Sequence, residues 1–286
     1  MECNGKPVIP GSSLKGMLRS LAEIVGGGCC VTDTGRGECH ANFRACAHAN
    51  ELCIACRMFG MMERGQGARV HTGKVGIGDG LLQDDSLERK VFEVLLSGPK
   101  TTHQSFYRNP ASGNADGKCR KMYFHQPRVN DQFPTVPQSV QDRAWRVNAL
   151  TAWHNFDFDV TFSELSGAEL SLLLYVIALE DEARVELETD GIRLSGPMRH
   201  KLGNAKPYGM GSCKITISRL EYLADPAQRF STMSGETSRV FEGDLLNSEI
   251  AERTDAHRRD NSPTMTQLRK MMVYDEQDTR TFRYPD

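Results

Sequence analysis

The chain has 286 residues, enough for one large domain or two ordinary ones, and its 39% hydrophobic and 25% charged content is that of a folded chain with a substantial core. A net charge of −2 excludes a protein that grips nucleic acid by bulk charge alone. No apolar run approaches the roughly 20 residues of a bilayer span, and the start lacks the charged and apolar regions of a secretory signal, so the expectation is a cytoplasmic protein with no membrane segment.

A local basic groove remains possible. Lysines and arginines recur beside glycines (Lys15, Arg19, Lys74, Lys100, Lys118, Arg120, Lys121, Lys201, Lys206), while acids gather in 84–93, 180–188 and the C-terminal tail. In chain order, Ser12 or Ser13 is placed to cap a helix over 14–25 that Gly26, Gly27 and Gly28 end. Leu14, Leu18, Leu21 and Val25 give it an apolar face, and Lys15 and Arg19 lie one turn apart on another. Residues 29–60 read as an irregular, cysteine-rich insertion. Residues 68–82 read as a strand or two, and 90–97 as another. Residues 98–145 are polar and rich in Pro, Gly, Asn and Lys, too long for a passive connection, and read as an extended functional loop or hairpin. Alternation predicts a strand in 149–162 and again in 214–220. Between them, Ser166 and Glu169 form a capping box for a helix to 179, with Leu170, Leu173, Leu174 and Ile177 as its apolar face. Residues 221–286 read as a charged extension with one short helix at 264–273. This order of elements in 1–220 fits an α+β, ferredoxin-like sheet with helices on one face.

Six of the nine cysteines lie between Cys29 and Cys56, which in a reducing compartment points to metal rather than disulfides. Cys53 and Cys56 can place two thiolates on one ion, and two upstream ligands would close a tetrahedral, structural zinc site. Cys39 and Cys46 are the first choice, with His40 and His48 as competitors; Cys3, Cys29, Cys30, Cys119 and Cys213 read as apolar filler. No βαβ unit surrounds the pair, which argues against a thioredoxin-like redox site.

Two segments put glycine where a ligand can approach closely. Residues 8–16 turn through serines into a helix N-terminus, a natural anion site, but the lysine precedes its glycine, which excludes a P-loop and nucleotide hydrolysis. Residues 202–212 interleave Lys206, Tyr208 and Met210 with Gly203, Gly209 and Gly211, a composition suited to a single-stranded RNA backbone with splayed bases.

The ordered set IPGSSLKGMLR, CIACRMFG, LLSGPKTTHQSFYR, CRKMYFH, FSELSGAELSLLLYVIAL, HKLGNAKPYGMGSCKI, TMTQLRKMMVYDE and FRYP resembles the RAMP superfamily of CRISPR-associated proteins, and in particular the repeated units of fused single-chain type III effectors. The resemblance implies an RRM-like palm, a zinc-bearing insertion and a protruding thumb hairpin in 98–145. It implies a guide-RNA-binding backbone subunit of an antiviral effector complex, whose partners are guide RNA, target RNA and other RAMP subunits. Carried over, Ser12, Ser13, Lys15 and Arg19 would face guide phosphates, Lys206, Tyr208, Gly209, Met210 and Gly211 would form the second lip, and Lys100, Thr101 and His103 would stand at the thumb's root.

One departure matters for chemistry. Family members carry a first strand and a loop before IPGSS, and nuclease-active members use an aspartate of that loop for metal-dependent cleavage. Residues 1–7 contain no aspartate, so the first strand and the Mg-dependent catalytic position are expected to be missing here, while Asp33, Asp79, Asp84 and Asp85 read as solvated surface. Two alternatives stand beside this reading. One is a metal-independent endoribonuclease processing CRISPR precursor RNA, for which His71, His103, His125 and His154 are available as acid or base. The other is a zinc-stabilised protein-interaction module with no RNA role.

Overall fold

The structure is a computed structural model that describes residues 2–3, 5–30, 44–63, 65, 67–84, 86–96, 122–127, 136, 138–187, 191–223 and 238–281. The elements in chain order are β1 (Glu2–Cys3), β2 (Lys6–Ile9), α1 (Gly11–Val25), α2 (Ile54–Phe59), β3 (Met61–Met62), β4 (Val70–His71), β5 (Val75–Ile77), β6 (Gly80–Leu82), β7 (Arg89–Val94), β8 (Trp145–Leu150), β9 (Phe156–Asp157), β10 (Val160–Phe162), α3 (Gly167–Ala178), β11 (Ala183–Glu186), β12 (Arg193–Gly196), β13 (His200–Lys201), β14 (Ser212–Cys213), β15 (Leu220–Leu223), β16 (Ser238–Phe241), α4 (Gly243–Arg259) and α5 (Pro263–Met272).

The architecture is mixed α+β, with small antiparallel sheets around a helical core. One sheet has four strands in the order β1-β2-β6-β9, and the remaining strands pair two by two: β3 with β4, β5 with β10, β7 with β8, β11 with β12, β13 with β14, β15 with β16. Hydrogen bonding among the described residues therefore does not knit one ferredoxin-like sheet. The expectation that no strand precedes the first helix is also corrected: β2 pairs with β6 (Val8 with Leu81, Ile9 with Gly80), and β1 covers its far edge (Glu2 with Pro7).

Helix α1 begins earlier than the serines suggest. Pro10 is its N-cap and makes no side-chain cap, so Ser12 and Ser13 sit inside the first turn and are exposed. The cap comes from a distant residue instead, since the Gly11 N–H donates to the Asp79 carboxylate at 2.7 Å. Asp79 thereby satisfies one of the helix's orphan donors and complements its dipole. Glycine is required at 11 because a Cβ there would stand 2.3 Å from the Ile77 carbonyl oxygen.

Leu14, Leu18, Leu21 and Ala22 bury α1's apolar face, as the periodicity predicts. Leu18, Leu21 and Ala22 pack on Ala55, Met58 and Phe59 of α2, on Val75, and on Leu172, Leu173, Tyr175 and Val176 of α3. Each such side chain contributes about 1.5–3 kcal/mol on leaving water. The capping box of α3 forms as read: the Glu169 N–H donates to Ser166 Oγ at 3.3 Å, and the Ser166 N–H to Glu169 Oε2 at 2.9 Å. Glu169 then accepts from Arg57 Nε at 3.1 Å and Lys74 Nζ at 3.0 Å, so one buried carboxylate ties α3 to α2 and to the residue that leads into β5.

The segment beyond 220 holds more structure than its composition suggests. Helix α4 packs Leu246 and Ile250 against Leu170, Leu174 and Leu220, and buried Thr254 donates its hydroxyl to the Ile250 carbonyl at 2.7 Å. Helix α5, expected at 264–273, joins the main core through Met265, Leu268 and Met272. Arg269 on α5 meets Glu180 in a buried ion pair at 2.9 Å, and Tyr175 donates to the same carboxylate at 2.7 Å. Of the strand expected over 214–220 only Leu220 is paired; pairing occurs at Ser212–Cys213, before the span, and at Leu220–Leu223, from its last residue onward. The strand expected over 149–162 is broken into the end of β8, β9 and β10. No helix among the described residues is long and apolar enough to cross a membrane.

Candidate functional site

The densest chemical constellation is a cluster of four cysteines, Cys29, Cys46, Cys53 and Cys56, whose sulfurs all lie within 4.8 Å of one another. Three of these are residues the sequence points to. The fourth corrects the reading of Cys29 as filler; Cys39 and its alternative His40 lie outside the described residues. The end of α1 explains the correction. Gly26 and Gly28 N–H groups donate back to Ala22 and Glu23 carbonyls at 2.9 and 2.7 Å, and Gly27 turns at φ +61, which folds the chain over and delivers Cys29 beside Cys53.

The geometry fits a metal ion. Cys29 Sγ and Cys56 Sγ are 3.5 Å apart, against the about 3.8 Å edge of a tetrahedron with zinc–sulfur bonds of about 2.3 Å. Backbone N–H groups donate to the sulfurs: Cys29 and Cys56 N to Cys53 Sγ, each at 3.4 Å, and Cys53 N to Cys46 Sγ at 3.3 Å. Donation from the Cys29 and Cys56 thiols and these amides pulls the Cys53 thiol far below its ordinary range, while serving as proton donors pushes Cys29 up to about 12 and Cys56 higher still. A cation would take the place of those shared protons. With four thiolates and no open position, the donor set is that of a structural site; soft sulfur ligands suit zinc.

Arg19 belongs to this centre. Its guanidinium donates to Cys56 Sγ at 3.2 Å, the Gly60 carbonyl at 2.6 Å and Glu23 Oε1 at 3.0 Å, and its side chain is only 16% exposed. A positive charge here offsets part of the thiolate charge and fixes a ligand from outside.

The second constellation is the glycine loop, closed by the β13–β14 pairing of His200 with Cys213 and Lys201 with Ser212. Gly211 has φ +79, and a Cβ there would lie 1.8 Å from the Leu202 carbonyl oxygen, so only glycine fits. Lys201, which the sequence counts among the basic residues but does not place in the RNA-binding set, anchors the loop by donating to the Gly209 and Met210 carbonyls at 2.9 and 3.0 Å. Burial, with Lys206 adding repulsion, pushes the Lys201 ammonium down to about 8; burial also lowers Lys206. Neither lysine has a carboxylate partner among the described residues, and Arg199 adds to the same positive field. Its signal in the sequence is its place immediately before the loop.

The loop is braced from the middle of the chain. The Tyr208 hydroxyl accepts from the Leu95 N–H at 3.0 Å and donates to the Leu95 carbonyl at 3.1 Å, so its polar end is held by the root of the β7–β8 hairpin. Gln126 donates to the Pro207 carbonyl at 3.0 Å. Buried His125 bridges Ser212 Oγ at 2.8 Å and the Arg199 carbonyl at 3.0 Å; burial, with Lys201 close by, pushes it down to about 3. The imidazole is therefore neutral, with Nε2–H donating to the carbonyl and Nδ1 accepting from the serine.

The predicted residues divide accordingly. Lys206, Tyr208, Gly209, Met210 and Gly211 share the loop. Ser12, Ser13 and half-buried Lys15 stand on the first turns of α1, and no hydrogen bond or ion pair among the described residues joins them to that loop. Lys100, Thr101 and His103 lie outside the described residues, as does most of 98–145, but β7 and β8, which flank that stretch, pair over six residues each. Asp79 and Asp84, read as solvated, are engaged: Asp79 with Gly11, Asp84 with His154 and the Asn155 N–H.

Comparison with known families places the chain in a class. The RAMP superfamily model matches residues 2–184, most of the chain, and the chain belongs to the RAMP superfamily. Among solved structures it is similar to Csc2 of Thermofilum pendens, at 11% identity and a TM-score of 0.33, over 93% of this chain and 74% of that one. No curated protein sequence matches.

Proposed function

We propose that this chain is a guide-RNA-binding backbone subunit of a type III CRISPR effector complex, working in antiviral defence beside other RAMP subunits and a target RNA. Membership of the RAMP superfamily supports the class. The observation that carries RNA binding is the pair Lys201 and Lys206, two partly buried ammonium groups with no carboxylate partner among the described residues, set in a loop whose glycines permit close approach. Such a field is costly to leave unanswered and suits a phosphate backbone. Exposed Ser12 and Ser13, with Lys15, offer a second lip at the start of α1. Zinc in the four-cysteine centre would hold 44–60 against α1, a structural role that leaves RNA contact to the loop.

Of the histidines open to a metal-independent nuclease, His103 lies outside the described residues, His125 is buried and neutral, His71 lies against the Arg57 carbonyl at 3.4 Å, and only His154, oriented by Asp84 at 3.0 Å, keeps the pairing of a general base. The test is fluorescence anisotropy of a labelled single-stranded RNA with the full chain in low salt, repeated with its complex partners. Binding that weakens steeply with salt is expected; no affinity under either condition overturns the proposal.

A further inference from the structure

The turn between β8 and β9 presents Trp153, which is 94% exposed. Its backbone stands at φ +75, a left-handed conformation disfavoured for any residue with a Cβ and ordinarily given to glycine or asparagine. Neither feature serves the fold. The turn is nevertheless held firmly. The Asp84 carboxylate takes the Asn155 N–H at 2.9 Å and His154 Nδ1 at 3.0 Å. The Thr151 N–H donates to the Glu88 carbonyl at 3.2 Å, and the Gln83 N–H to the Asn155 carbonyl at 3.0 Å. A strained backbone fixed by its surroundings to hold a large aromatic in solvent is the pattern of a binding site.

The immediate surroundings say what binds. Its neighbours within the turn, Thr151, Ala152, His154 and Asn155, are polar or small and supply no apolar rim of the kind that excludes water around a protein hot spot. A nucleobase needs only a π face. Asp84, Glu88 and Asp157 flank the turn and would repel a phosphate, so the contact is with a base splayed away from its backbone. We infer that Trp153 is a stacking platform for an unpaired base of single-stranded RNA, with His154 and Asp84 as its positioning residues. This rests on the RNA-binding reading above and adds a contact to bases, remote in sequence from the lysine loop and unlike it in kind.

The chain has two tryptophans, so Trp145→Phe leaves Trp153 as the sole indole reporter. In that background, adding single-stranded RNA is expected to quench Trp153 emission as anisotropy of the labelled strand reports binding. Trp153→Gly relieves the positive φ, so its melting temperature should be equal or higher while its affinity for RNA falls about tenfold. Its salt dependence should stay that of the parent chain, because no phosphate contact is lost, and the loss should vanish on a strand of abasic units. RNA that binds by anisotropy while Trp153 emission stays unmoved and Trp153→Gly binds as tightly as the parent overturns the platform and leaves the lysine loop standing. So does a Trp153→Gly variant altered only in self-association, which would assign the indole to a protein contact. No RNA binding by the parent chain at any salt fails the underlying reading and the platform with it.

Discussion

Replacing Cys29 by alanine tests the feature that the fold, rather than the spacing of residues, identifies. Cys29 is 4% exposed, with its sulfur 3.5 Å from that of Cys56 and its amide on Cys53, and among the described residues it alone completes the cluster from the end of α1. A structural zinc site contributes about 10–16 kcal/mol of apparent binding energy. Shared over four thiolates, the loss of one is about 2.5–4 kcal/mol, or about two to three orders of magnitude in affinity. The assay loads the full chain with zinc, titrates a competing chelator and follows release with a metallochromic dye. Cys30→Ala is the control, because Cys30 is also buried, next door but outside the four-sulfur cluster. Metal held as tightly by Cys29→Ala as by the parent, with release caused instead by Cys39→Ala, would refute the reasoning from the glycine turn.

Two further outcomes follow from buried groups. Gly211→Ala puts a methyl 1.8 Å from the Leu202 carbonyl oxygen at φ +79, and thermal melting should show a loss of about 1–3 kcal/mol or more; an unchanged melting temperature would mean that the loop is not as closed as described. Buried His200 donates to the Val176 carbonyl at 2.8 Å, and burial pushes it down to about 4 from an ordinary 6.5. The unfolded chain therefore takes up this proton first. Stability is full above about pH 6.5 and declines as pH falls toward 4, by about 3 kcal/mol from this group. Urea midpoints measured across that window should fall, and fall less in His200→Gln.

Much of the core was legible because its signals are local. The 3.6-residue recurrence of Leu14, Leu18 and Leu21, and the Ser166–Glu169 box, need no knowledge of distant contacts. Helix α4 escaped notice because its buried stripe is only Leu246, Ile250 and a threonine, while Leu245 is 70% exposed; its helicity depends on the α3 face it covers. Cys29 escaped because its partners lie 17 to 27 residues on, and only the Gly26–Gly28 reversal makes them neighbours. The family resemblance assigns Arg19 to guide phosphates, yet its guanidinium turns to Cys56 and Gly60. Lys201 was legible as a charge, but its role appears only with its two carbonyl bonds to the loop. The 214–220 alternation misled because alternation marks a surface that can pair, and pairing requires a neighbour in register.

The slope of RNA affinity against salt, compared between the parent chain and a Lys201→Met, Lys206→Met double variant that retains its melting transition, probes the loop's charge most directly. If the two ammonium groups meet phosphates, the slope of log affinity against log salt should shrink by about 1.4, at roughly 0.7 per phosphate of a single strand. An identical slope and affinity in the variant would place the RNA elsewhere on the molecule.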